Sequence, residues 1–236
     1  MTHHFDGARF VRGLAVLAVG FVAGAATVML ADPGTEARRF SSDATTVRHD
    51  HPESDITYAE LPKWTKAEVD EVITQWATRY ATAADAQRDG WFRATRSLCG
   101  IGAHYIKTAA FSGAVTFDPL NPNILLFDGE GPDAKFAGVS WVLAEIPEEG
   151  FTGDFDSWHS HTSVCAHGGT IMSLSEEDFS VWLSERECSA IGGRVIPLDN
   201  DQMMHLWIGP EYIDDVAIFA HDHPKLFDGY KPRRDA

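Results

Sequence analysis

Six of the eleven histidines fall after residue 150, and two of them are spaced as Trp158-His159-Ser160-His161. On an extended strand residues i and i+2 face the same side, so this spacing would set two imidazoles next to each other. Neutral imidazole is a ligand for zinc, copper and iron, but two ligands fall short of a site, and the others must come from elsewhere in the fold. His205 stands inside the apolar run Met203-Met204-His205-Leu206-Trp207, where an imidazole is costly to bury without a partner. His104 follows the turn-forming Gly100-Ile101-Gly102. We therefore expect a metal centre of His104, His159, His161 and His205, with copper or zinc as the ion and iron as a third option. Asp154 and Asp156, just before the His-x-His, are either outer partners of an imidazole N–H or turn residues. His167, beside Gly168-Gly169, and the His221-Asp222-His223-Pro224 run rank below this set. For the whole group the plainer reading is a metal-free core that is structural or pH-responsive.

The elements that must position these side chains are legible from pattern. Thr65-x-x-Glu68 after Pro62 has the form of a capping box, and Val69, Val72, Ile73, Trp76 and Tyr80 recur at helical spacing, so a helix is expected to run to Gln87. Beyond Gly102, Ile124–Phe127, Phe136–Leu143 and Met203–Ile208 are rich in β-formers and bounded by turn signals, with Val216–Phe219 a shorter fourth strand. Ser175-Glu176-Glu177-Asp178 opens a short helix reaching about Glu187. The expected architecture is α+β, a long N-terminal helix packed on a mainly antiparallel sheet. It forms one domain over residues 62–236, after a polar linker at 32–61 that carries His49 and His51.

Residues 1–31 precede that linker. Gly13 to Leu30 is almost wholly apolar, follows Arg9 and Arg12, and ends at Asp32-Pro33-Gly34. It is expected to be a signal-anchor or a signal peptide that makes contact with the membrane through residues 13–30. The basic flank leaves the following domain outside the cytoplasm, single-pass at the cell membrane or, if the segment is cleaved, secreted or periplasmic. With 44% hydrophobic and 23% charged residues the remainder is globular in balance. A formal charge of −16, with no Lys/Arg cluster besides Lys231-Pro232-Arg233-Arg234, excludes a nucleic-acid partner. Of the three cysteines, Cys165 and Cys188 are reasonable disulfide partners in an oxidising compartment, leaving Cys99 over, and metal ligation by Cys165 is the competing reading.

Two resemblances bear on the site. From about Ala77 onward the chain resembles a widespread family of uncharacterised exported bacterial proteins. The matching motifs are Asp89-Gly90-Trp91, Cys99 with Gly102-Ala103-His104-Tyr105, Phe117-Asp118-Pro119, Gly138-Val139-Ser140-Trp141, Trp158-His159-Ser160-His161 with Cys165, Cys188 to Gly193, and Met204-His205-Leu206-Trp207. The resemblance implies that His104, His159, His161 and His205 form one recurring set and that the cysteines accompany it. It also implies that Ser140 replaces a usual acidic residue, and it lends no activity. A weaker, partial resemblance is to JAMM metalloproteases, through His159-x-His161 followed by Ser175 to Asp178, and would imply a zinc metallohydrolase with Asp178 as third ligand. Against it, 16 residues stand between His161 and Asp178, more than in that motif, Thr162 replaces its proline, and Glu145 lies too near to serve as the upstream base.

Overall fold

The computed structural model describes residues 55–107, 116–174, 183–214 and 216–227. The apolar segment 13–30, linker histidines His49 and His51, Ser175 to Asp178 and the Lys231 to Arg234 tail lie outside the described residues. Among the described residues no helix is long and apolar enough to cross a membrane.

Among the described residues seven strands form a single antiparallel sheet: β1 (Phe92–Arg93), β2 (Ala103–Ile106), β3 (Ile124–Asp128), β4 (Lys135–Leu143), β5 (His159–His167), β6 (Thr170–Leu174) and β7 (Arg194–Leu206). Their spatial order is β1-β2-β3-β4-β7-β5-β6. The two edges then approach each other. Ile171 on β6 accepts from the Arg96 amide at 3.0 Å and donates to the Ala94 carbonyl at 2.8 Å, so the sheet curls into a nearly closed barrel. Closure of this kind removes most of the unpaired edge.

This corrects the expected α+β architecture. The fold is mostly antiparallel β, and among the described residues no long N-terminal helix is seen. In its place α1 (Lys63–Val72) runs on only through a π-helical turn at Ile73–Ala77, 15 residues in all. The chain leaves the helix at Thr78 and restarts as α2 (Ala83–Arg88), where Asp85 accepts from the Thr82 amide at 2.8 Å and its hydroxyl at 3.0 Å. Trp76 and Tyr80 are buried as their spacing requires, but against Trp91 and Asp89 rather than along one continuous helix. Nor do Thr65 and Glu68 cap α1, whose N-cap is Pro62. The Thr65 hydroxyl donates to the Thr152 carbonyl, and the Glu68 carboxylate accepts from the Thr152 amide at 2.9 Å and hydroxyl at 2.6 Å. The pair fastens the helix to the loop that leads into β5.

The sheet has two buried faces. Tyr105, Leu125, Val139, Trp141, Met204 and Leu206 share one with Val69, Val72 and Trp76 of the helix. The other holds Ile106, Ile124, Leu126, Met203 and Trp207 and is covered by the C-terminal segment, where Leu226 and Val216 pack. The expected fourth strand at Val216–Phe219 is reduced to a single bridge between Ala217 and Thr57. Gly138 lets β4 lie close to β7, since a Cβ there would stand 2.4 Å from the Leu206 carbonyl oxygen.

The helix expected to run from Ser175 to about Glu187 is not continuous: residues 183–184 are not helical, and α3 (Glu185–Ala190) starts at Ser184, whose hydroxyl accepts from the Glu187 amide at 3.3 Å. Cys188 on α3 and Cys165 on β5 are joined by a disulfide, and Cys99 is a buried free thiol. With a sequence separation of 23 between the partners, the chain-entropy model assigns the crosslink about 3 kcal/mol. Replacing both by serine is expected to lower unfolding stability by about that amount in a denaturant titration, and reductant should produce the same loss in the unaltered protein.

Candidate metal centre

Register decides which side chains meet. His104 pairs with Leu126, Ser140 with His205, and His159 with Met203, and residues directly across a ladder share a face. His104, Ser140, His205 and His159 therefore all fall on the face opposite the helix, and His161 joins them two residues beyond His159. The four histidines singled out from the sequence are thus brought together. Ring centroids of His159 lie 5.1 Å from His161 and 5.0 Å from His205, and His104 is 5.8 Å from His205. His104, His161 and His205 are buried almost completely.

One residue ranked low from the sequence belongs with them. His221 lies 4.1 Å from His159 and 5.6 Å from His205, ring to ring. Its Asp-His-Pro setting reads as loop, which is correct, yet the loop folds back over the site. His223, two residues on, does not join the group. Its Nε2–H donates to the Tyr212 carbonyl at 2.9 Å while Nδ1 accepts from the Lys225 amide at 3.1 Å, the pattern of a structural histidine. His167 is exposed at the β5–β6 turn, and Glu145 is exposed after β4.

The hydrogen bonds assign tautomers. The Thr95 hydroxyl spends its proton on the Arg96 carbonyl at 2.8 Å, so toward His104 it can only accept, and His104 Nδ1, 3.3 Å away, carries the hydrogen. His205 Nδ1 lies 2.7 Å from the His221 carbonyl oxygen, which likewise can only accept. Both imidazoles then hold their lone pair on Nε2, the state in which histidines bind metals with the far nitrogen anchored. His104 is placed by Gly102, where the φ of +76° is strained for any other residue and a Cβ would stand only 2.5 Å from the Phe127 carbonyl oxygen.

Burial first, then the neighbouring His221, His205 and His161, pushes His159 well below the ordinary histidine range, so its ring is neutral. Both its nitrogens are shut from solvent without an aligned hydrogen bond, the Ser157 backbone exerting only a weak opposing pull. Ser140 Oγ, across from His205, is also fully buried and without a hydrogen-bond partner.

Zinc–nitrogen bonds of about 2.0–2.1 Å put an imidazole centroid roughly 3.2 Å from the ion, so tetrahedral ligand rings stand about 5 Å apart. His159 stands at that spacing from His161 and His205, while His104 is somewhat farther from His205. Among the described residues, however, no group of three or more His, Cys, Asp or Glu side chains is in position to hold a metal ion. Binding would require the imidazoles to rotate toward a common point. The Cys165 sulfur is committed to its disulfide. A shallow groove of about 330 Å³ beside α1, lined by Asp70, Glu71, Thr74, Gln75 and Leu120, is remote from this chemistry.

The Asp156 carboxylate turns back onto its own loop, accepting from the Phe151 amide at 3.1 Å. Burial raises it to about 6, against the pull of that amide. Because the folded state then binds the proton more tightly than the unfolded chain, with its ordinary 3.8, the stabilisation is complete below about pH 3.8 and lost as pH rises through about 6. Asp156→Asn should therefore gain on the unaltered protein between pH 4 and pH 7, by on the order of 2–3 kcal/mol in parallel unfolding curves.

Comparison with family models, with curated proteins and with solved structures yields no match.

Proposed function

We propose that the protein is extracytoplasmic, tethered or exported through residues 13–30, and binds a transition metal ion through His104, His159, His161 and His205. The observation that carries this reading is His159, a neutral imidazole with both nitrogens enclosed and three other imidazole rings within 5.1 Å. A buried polar group in that state is costly unless something completes it, and a soft or borderline cation is the partner that several lone pairs can share. An all-nitrogen donor set favours copper or zinc over magnesium or calcium. Anchoring of His104 by Thr95 and of His205 by a backbone carbonyl supports the same reading, because a ligand held from behind needs little further ordering on binding.

A second reading is a metal-free histidine core, and what favours it is that no three donors among the described residues are yet aligned. The two separate on metal analysis of the full-length protein purified in mild detergent and equilibrated with zinc or copper. The metal-site reading expects about one bound ion per chain, lost in His159→Ala and in His161→Ala, with a rise in thermal stability on loading that both variants lack. Protein that takes up no ion, and whose melting temperature is the same with or without metal, would overturn it in favour of the metal-free core.

A further inference from the structure

We infer that His221 is a further ligand of this site, that Asp222 is the positioning residue behind it, and that the bound ion thereby fastens the C-terminal segment 216–227 to the sheet. The inference rests on the metal-site reading above. Its first support is place. His221 is 8% exposed, and its ring is nearer to His159 than are those of His161 and His205. Its second is how it is held. The Trp207 indole donates to the Ala220 carbonyl at 2.7 Å and the His223 amide donates to the Gly100 carbonyl at 2.7 Å, fixing the backbone on both sides of His221.

The third support is chemical. Asp222 Oδ1 lies 3.2 Å from His221 Nδ1, is buried, and has no aligned hydrogen-bond donor. A carboxylate facing Nδ1 favours the hydrogen there and leaves the lone pair on Nε2, the tautomer already assigned to His104 and His205 and the reverse of structural His223. A small ring rotation that aligns Nδ1–H with Asp222 completes this buried oxygen, and such a pairing strengthens the imidazole as a donor. The His221 carbonyl meanwhile anchors His205 Nδ1, so one residue serves two ligands. A cation bound here would join β2, β5 and β7 to a segment that backbone bonds and the packing of Ile218, Phe219 and Leu226 already hold against the sheet.

The test uses full-length protein in detergent, loaded with copper(II) or zinc. His221→Ala is expected to weaken affinity about 100-fold and to remove one nitrogen coupling from the copper electron paramagnetic resonance spectrum. Asp222→Asn should weaken it roughly 10- to 100-fold, with recovery in Asp222→Glu. Metal should slow proteolysis within 216–227 in the unaltered protein and not in His221→Ala, while His167→Ala, on the exposed turn, binds as before. Should His221→Ala fail to fold, the Asp222 variants decide. Unchanged affinity and spectrum in both Asp222→Asn and any folded His221→Ala, with binding still abolished by His159→Ala, would overturn this inference and leave the four-histidine site standing. Failure of the unaltered protein to bind metal would remove both.

Discussion

Imidazoles packed with centroids 4.1–5.8 Å apart, their nitrogens largely enclosed, constrain everything around them, because a positive charge on one opposes a charge on each of its neighbours. Such a group is tolerated when its members stay neutral, and two of the rings direct a hydrogen to an acceptor. Here the acceptors are main-chain or hydroxyl oxygens: Thr95, itself committed to the Arg96 carbonyl, for His104, and the His221 carbonyl for His205. His159 is neutral because burial and the surrounding rings leave no room for its charge. Two separate chain segments, at Thr95–Arg96 and at His221, are therefore arranged to serve the protonation states of the rings, and the fold must hold them in place to do so.

The barrel supplies that register. Each strand of the histidine face is paired on both sides, and each histidine is fixed by a defined partner across the ladder, His104 by Leu126 and His205 by Ser140. A slip of one residue on β7 would turn His205 toward Trp76 and Met204 toward the site. The helix face, with its interlocked tryptophans and phenylalanines, resists such a slip because its apolar side chains have no other buried place. At Gly138 the two central strands are drawn too close for any side chain at that position, which fixes their spacing beside Ser140 and His205.

Much of the site is legible in the sequence, and less of the fold. The two-residue period of a strand is enough to set His159 beside His161, and an imidazole inside an apolar run, as at His205, announces burial wherever the strand lies. His221 is not readable in the same way. A loop residue carries no periodicity, and only the bonds of Ala220 and His223 to distant parts of the chain bring it in. The helix is over-extended by its pattern for a related reason. Apolar residues from Val69 to Tyr80 keep helical spacing, but spacing reports which side chains are buried and not whether one unbroken helix buries them. Trp76 and Tyr80 reach the core across a π turn and a new chain direction. Thr65 and Glu68 have the sequence of a cap and the role of a clasp, since the same groups can bond a neighbouring loop as readily as their own helix.

The closure of β6 onto the Ala94–Arg96 stretch has an implication for timing. The imidazoles come from positions 104 to 221 along the chain and meet only when nearly every strand has found its neighbour, so no earlier fragment of the protein contains the group. A polypeptide threaded unfolded through a membrane would bring nothing with it among these rings. On the proposed metal-site reading, an ion would be acquired in the compartment where the last segment docks, and that compartment's supply of ions, rather than intrinsic preference alone, would choose it.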